Sequence, residues 1–382
     1  MKFEDFGLTQ DPFPIAPESS VHNWAGDQEL REDLVDLVHG VRARDIGVSE
    51  FAVLWGELGA GKSHALMYLR TLIREDTENF NSLAIYLPRP QVANKLSFMS
   101  IAKRIFEDIT RDKITDYCEK ISEILDRNVQ RLAEEKGMGD QKDKSTFMEA
   151  ALNLLDESNR PMVALLARGS KPGAKVYEFL TGQAKCDGPE YEFKIDSDFL
   201  AAKVLGEFFR VLALEFPDGS RVHESVYLFI DESEMLLDAK PAESDAVFTG
   251  LRELINSLPY RFGLLMSFTA ATALIEAVMH QHLVKRMTRS YIEVPMMDDE
   301  QALEFLRSQL DFFREEGSSY KGTFYPFSDE AVGIIVGNEL STTPRNLFIQ
   351  CKRVFERAIR RFGVEPGEEI SGEVAAKILN LA

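Results

Sequence analysis

Cysteine is scarce in this chain of 382 residues. Cys118, Cys186 and Cys351 are odd in number and far apart, so neither a disulfide framework nor a C-x-x-C zinc pair can be drawn from them. Long apolar runs are missing too. None approaches the roughly 20 residues that span a bilayer, and the opening Met1-Lys-Phe-Glu-Asp-Phe6 lacks a signal-peptide core, so a cytoplasmic location is expected. Basic side chains are outnumbered, 44 against 63 acidic ones, for a net charge of −19. That balance repels nucleic acid at long range and excludes a binder that uses its whole surface. Internal repeats and low-complexity tails are absent. His280 and His282 lie two apart in a helical stretch, face different sides, and read as surface residues, not metal ligands.

What is present begins with Phe51-Ala-Val-Leu-Trp55, an apolar strand, running into Gly56-Glu57-Leu58-Gly59-Ala60-Gly61-Lys62-Ser63-His64 and then a helical pattern. The spacing is G-x-x-x-x-G-K-S. Its glycines let successive N–H groups turn inward toward phosphate oxygens, and the helix that follows adds its positive end. Lys62 is placed to reach β- and γ-phosphates, and the Ser63 hydroxyl to complete a Mg²⁺ shell. Residues 56 to 64 are therefore the candidate nucleotide contacts, with ATP and Mg²⁺ the expected ligands.

Short apolar runs at 51 to 55, 83 to 87, 227 to 230, 262 to 268 and 291 to 294 alternate with helical patterns. This order predicts an α/β fold, a parallel sheet of five strands with helices on both faces. About 140 residues separate the second strand from the third, far more than the dozen that one crossover needs, so a mostly helical insertion is expected at residues 112 to 198. Helical periodicity covers 97 to 134, a polar loop follows at 134 to 145, and helices resume at 147 to 155, 160 to 166 and 199 to 214. From Asp298 onward the pattern is helical only, with caps at Asp298 or Asp299 and at Thr342 or Thr343 before Pro344. The predicted organisation is a core over 1–297, interrupted by the insertion, and a helical lid over 298–382.

The third strand ends in Ile230-Asp231-Glu232, two carboxylates at the C-terminal edge of a parallel sheet, where ligands of such sheets bind. Asp231 is the candidate metal residue and Glu232 the candidate base for an attacking water. A strand that merely ends in acids is the plainer alternative; the phosphate loop in the same chain argues against it.

Together these motifs resemble the AAA+ and STAND-type P-loop ATPases over nearly the whole chain outside the insertion. The resemblance implies that Thr269, ahead of Ser267, senses the γ-phosphate or the catalytic water at the end of the fourth strand. It implies that Arg286, with Arg289 in reserve, is an arginine finger, and that Arg345 in Thr343-Pro344-Arg345 contacts the γ-phosphate from the lid. Phe6-Gly-Leu, Asp11-Pro-Phe13 and Trp24-Ala-Gly26-Asp27-Gln-Glu29 look like the leader of the secretion-ATPase, transposition-regulator and origin-recognition branch, with Asp27 where that branch carries an arginine. The insertion and the turn Leu180-Thr-Gly182 are also similar to ATPases of bacterial phage-exclusion (BREX) systems.

The function so implied is an ATP-hydrolysing switch that controls a partner complex, in phage defence if the last likeness holds. It associates with itself, docks partners through the insertion, and has no membrane role. The alternative is a DNA-associated regulator of transposition or replication type, forming rings or filaments. Lys352, Arg353, Arg357, Arg360 and Arg361, at helical spacing, favour it, and the acidic balance opposes it. A solvated helix face paired with Glu356 and nearby acids is the plainer account of those residues. Intact Lys62 and Glu232 argue against a scaffold that does not hydrolyse.

Overall fold

The computed structural model describes residues 3–15, 21–42, 49–76, 81–91, 96–135, 144–171, 174–186, 188–279, 281–285, 287, 291–338 and 341–380. The strands are β1 (Glu50–Trp55), β2 (Leu83–Leu87), β3 (Val226–Ile230), β4 (Phe262–Phe268) and β5 (Ile292–Glu293). They form one five-stranded parallel sheet in the order β2-β3-β4-β1-β5. β3 and β4 are buried at every residue, as interior parallel strands covered on both faces must be; β5, at an edge, is half-buried and exposed. The register pairs Tyr86 with Phe229 and Ile230 with Met266, which aligns the C-terminal ends of β2, β3 and β4.

The chain separates into two compact units: Met1–Asp36, Leu54–Leu72 and Ile292–Ala382 in the first, Leu37–Val53 and Ile73–Tyr291 in the second. In the second unit the helices Phe98–Ile109, Asp198–Leu212 and Pro241–Ser257 carry broad apolar faces. Ser97 and Ser197 cap the first two by accepting from Ser100 N and Leu200 N. The helical periodicity over 97 to 134 belongs to two helices divided at Thr110, whose φ of 70° stops one before Arg111–Glu135 begins. Ile114, Tyr117, Ile121, Ile124, Leu125, Val129 and Leu132 line the buried face of that second helix, as their spacing predicts. Helices Lys144–Asn153, Arg160–Gly169 and Val176–Leu180 follow it. The polar stretch at 136–143 lies outside the described residues.

In the first unit the caps fall where the sequence puts them. Asp298 forms a capping box with Gln301 at Asp299–Phe312, and Thr343 with Pro344 opens Pro344–Phe362, which Gly363 closes at a φ of 71°. The leader aromatics are core residues: Phe3 stacks on Phe355 with ring centroids 4.4 Å apart, Phe6 meets the same ring edge-on at 5.1 Å, and Phe13 lies against Phe348 at 6.0 Å. Asp27 is a helix cap, accepting from Glu29 N at 2.8 Å and Leu30 N at 3.2 Å ahead of Gln28–Arg42.

Candidate nucleotide-binding and acidic sites

In the first unit the segment after β1 turns sharply between Trp55 and the helix Lys62–Glu75. Gly61 has a φ of 113°, a conformation that a side chain would strain, although the space beside it is open. Gly56 is fixed by close approach, since an added Cβ would lie 2.5 Å from the Val294 carbonyl oxygen. The Lys62 side chain is 6% exposed and folds back over the turn, its Nζ donating to the carbonyls of Gly56 and Glu57 at 2.9 Å each. These two bonds hold the ammonium inside the curve of the loop. A phosphate entering that curve would meet a positive charge already in place, along with the N-terminal end of the helix. Ser63 and His64 form the first turn of that helix; the His64 ring lies 5.9 Å from Trp24, which is 5.0 Å from Tyr68.

The start of the helix Pro344–Phe362 lies beside this loop. Arg345 N lies 3.5 Å from the Gly59 carbonyl, and a Cβ on Gly59 would meet Arg345 Cβ at 3.0 Å and Thr343 Oγ1 at 3.2 Å. Arg345 is itself exposed, and its guanidinium makes no hydrogen bond or ion pair with the described residues.

In the second unit the carboxylates behave differently. Asp231 is 3% exposed, and its oxygens are engaged by neighbours from both flanking strands. Oδ1 accepts from Ser267 Oγ of β4 and from Glu232 N at 3.0 Å; Oδ2 accepts from Tyr86 Oη of β2 at 2.7 Å. A carboxylate offers about four acceptor positions, so about one is left, on Oδ2. Glu232 is exposed, with a left-handed backbone (φ 47°, ψ 39°). Thr269 donates its backbone N–H to Glu234 Oε2 at 3.2 Å, so the strand end favoured for phosphate sensing is tied to a third acid. Arg286 and Arg289 lie outside the described residues, as do His280 and the side chain of His282.

Tyr86 and Glu234 are the participants that sequence reading missed. Tyr86 was hidden because it reads as one more apolar strand residue; the signal available was a hydroxyl one place from the C-terminal end of β2. Among the described residues no cluster of three or more His, Cys, Asp or Glu could hold a metal by itself. Within the second unit, the open Oδ2 position of Asp231 is an oxygen donor of the kind that hard cations such as Mg²⁺ take.

No family model and no curated protein matches the chain. Solved structures do. The ORC2 protein of Aeropyrum pernix, solved in ADPNP-ADP complexes, is similar at a TM-score of 0.50 with 10% identity, over 93% of this chain and 68% of its own. The ORC1 protein of the same organism, solved in complex with DNA, gives 0.50 with 12% identity, over 98% of this chain and 70% of its own. The chain therefore shares the α/β fold of these proteins, that of AAA+ P-loop ATPases. Among the described residues no helix is long and apolar enough to cross a membrane.

Proposed function

We propose that this chain is a Mg²⁺-dependent ATPase of AAA+ type that switches between assembly states. The observation that carries the reading is the phosphate loop: glycines held by conformation and close approach, with the Lys62 ammonium drawn into the curve by two carbonyls. In this reading residues 56 to 64 hold the phosphates, and Ser63 and Asp231 hold the cation. Bound there, Mg²⁺ supplies charge to offset that of the transferring phosphoryl group. Glu232 takes the proton of the attacking water, Thr269 orients that water, and Arg345 and Arg286 offset negative charge on the γ-phosphate.

The domain boundaries belong to the same proposal: a core over 1–297, an insertion at 112–198 that docks a partner protein, and a lid over 298–382. The phage-exclusion setting rests on the insertion and the turn at Leu180-Thr-Gly182. Glu232→Gln tests the chemistry. It should bind a fluorescent ATP analogue as the parent does, lose at least about 100-fold in turnover, and accumulate the assembled form in light scattering with ATP. Turnover equal to the parent's would remove Glu232 from the mechanism.

A further inference from the structure

Asp231 lies between two hydroxyls, those of Tyr86 and Ser267, to which the proposed chemistry gives no part. β3 and β4 pair Ile230 with Met266, so Asp231 and Ser267 follow in step on neighbouring strands. β2 pairs Tyr86 with Phe229, two places before Asp231, so Tyr86 and Asp231 share a face of the sheet. Both hydroxyls thus stand on strands that flank β3 in one sheet, and the sheet fixes their spacing. Ser267 is fully buried and Asp231 nearly so.

Burial explains why the carboxylate has donors, not how they are shared out. Ser267 Oγ and Glu232 N both donate to Oδ1, the second at 3.0 Å, while Tyr86 Oη donates to Oδ2 at 2.7 Å. A carboxylate oxygen has about two acceptor positions, so Oδ1 is filled and Oδ2 keeps one. That unequal sharing matters to a cation. Ca²⁺ collects about six to eight oxygens and readily takes both oxygens of one carboxylate. Mg²⁺ is smaller, holds an octahedral shell, keeps several waters and asks less of any one carboxylate.

We infer that Ser267 is a positioning residue for cation selectivity. By filling Oδ1 it confines Asp231 to contact through Oδ2 alone, which suits Mg²⁺ and handicaps Ca²⁺. Tyr86 steadies the other oxygen but leaves that choice unchanged, because a two-oxygen grip is blocked at Oδ1 whether or not Tyr86 donates. The inference rests on the reading that Asp231 takes the cation of a nucleotide.

The test uses the full chain with ADP, and Mn²⁺ as the probe. Bound Mn²⁺ is read by electron paramagnetic resonance while Mg²⁺ or Ca²⁺ competes, and the ratio of the two competition constants reports selectivity without turnover. The parent should favour Mg²⁺ over Ca²⁺ by at least about 10-fold. Ser267→Ala should cut that ratio at least about 5-fold, through tighter Ca²⁺, because an acceptor position opens on Oδ1. Tyr86→Phe, which leaves Oδ1 filled, should keep the parental ratio. A purely structural role makes the opposite forecast, that the two variants act alike, since each takes one donor from a buried carboxylate. Equal effects of the two, or a parental ratio in Ser267→Ala, overturn the inference. So does a parent that takes Ca²⁺ as readily as Mg²⁺, a result that needs no variant to fold. Failure of the ATPase reading looks different: the parent holds no Mn²⁺ with ADP, or Asp231→Ala holds it as well as the parent does, and the inference falls with it.

Discussion

At the phosphate loop the main chain defines the site: Gly56 is confined by the Val294 carbonyl, Gly61 takes a backbone that other residues resist, and Lys62 is fastened to two carbonyls. At the end of β3 side chains do the same work, with Asp231 held by hydroxyls from strands on either side of its own. A site built from backbone leaves its trace in sequence as glycines at fixed intervals, because few other residues can take those conformations. A site built from side chains leaves no fixed spacing, because its members come from strands far apart in the chain. Backbone-built geometry should also withstand loss of a neighbour better than a carboxylate that depends on donors.

The largest effect expected from that contrast is at Lys62. Lys62→Ala leaves the turn standing and removes its ammonium, so nucleotide affinity should fall at least about 100-fold, on the order of 3 kcal/mol, with little change in melting temperature. Nucleotide titration followed by thermal denaturation separates the two, and a protein that melts early would mean that the loop leans on Lys62 as Asp231 leans on its hydroxyls. Tyr86→Phe and Ser267→Ala should each lower folding stability by about 1.5–3 kcal/mol, because each removes a donor from a buried carboxylate. Denaturant unfolding measures this, and losses below about 0.5 kcal/mol would erase the contrast between the two sites.

The smallest effect concerns His223, at the other end of the β3 segment. Its Nε2 lies 3.0 Å from Tyr117 Oη and its Nδ1 3.2 Å from the Asn81 carbonyl. Burial, the larger influence, lowers its pKa from the ordinary 6.5 to about 4, with the Asn81 contact working the other way. The folded protein therefore binds this proton less readily than the unfolded chain. The stability it contributes is complete above pH 6.5 and is lost as the pH falls toward 4. His223→Gln should flatten the pH dependence of unfolding in that window, while nucleotide affinity at neutral pH stays put.

Much of the fold was legible in the sequence. All five strands lie within one residue of their apolar runs, and the caps are Asp298 and Thr343, one of the two candidates read at each helix start, with Pro344 in the first turn. Two features were not. The break at Thr110 falls between two stretches of matching helical periodicity, and periodicity does not register one residue with positive φ. The charge pairing of the helix Pro344–Phe362 escaped because spacing shows which charges can meet, not whether they do: Glu356 is one turn from both Lys352 and Arg360, yet pairs with neither.

Glu232 holds a backbone shape that glycine adopts freely and that a residue with a Cβ adopts at a cost of about 1–2 kcal/mol. Selection for robustness alone would place a glycine there, or an asparagine. On the role proposed for Glu232 as base, the glutamate is a trade-off written into a single residue, in which some stability of the strand end is given up to keep a carboxylate at that spot. A variant library sorted only for heat resistance should discard this acid early, and one sorted for turnover should keep it.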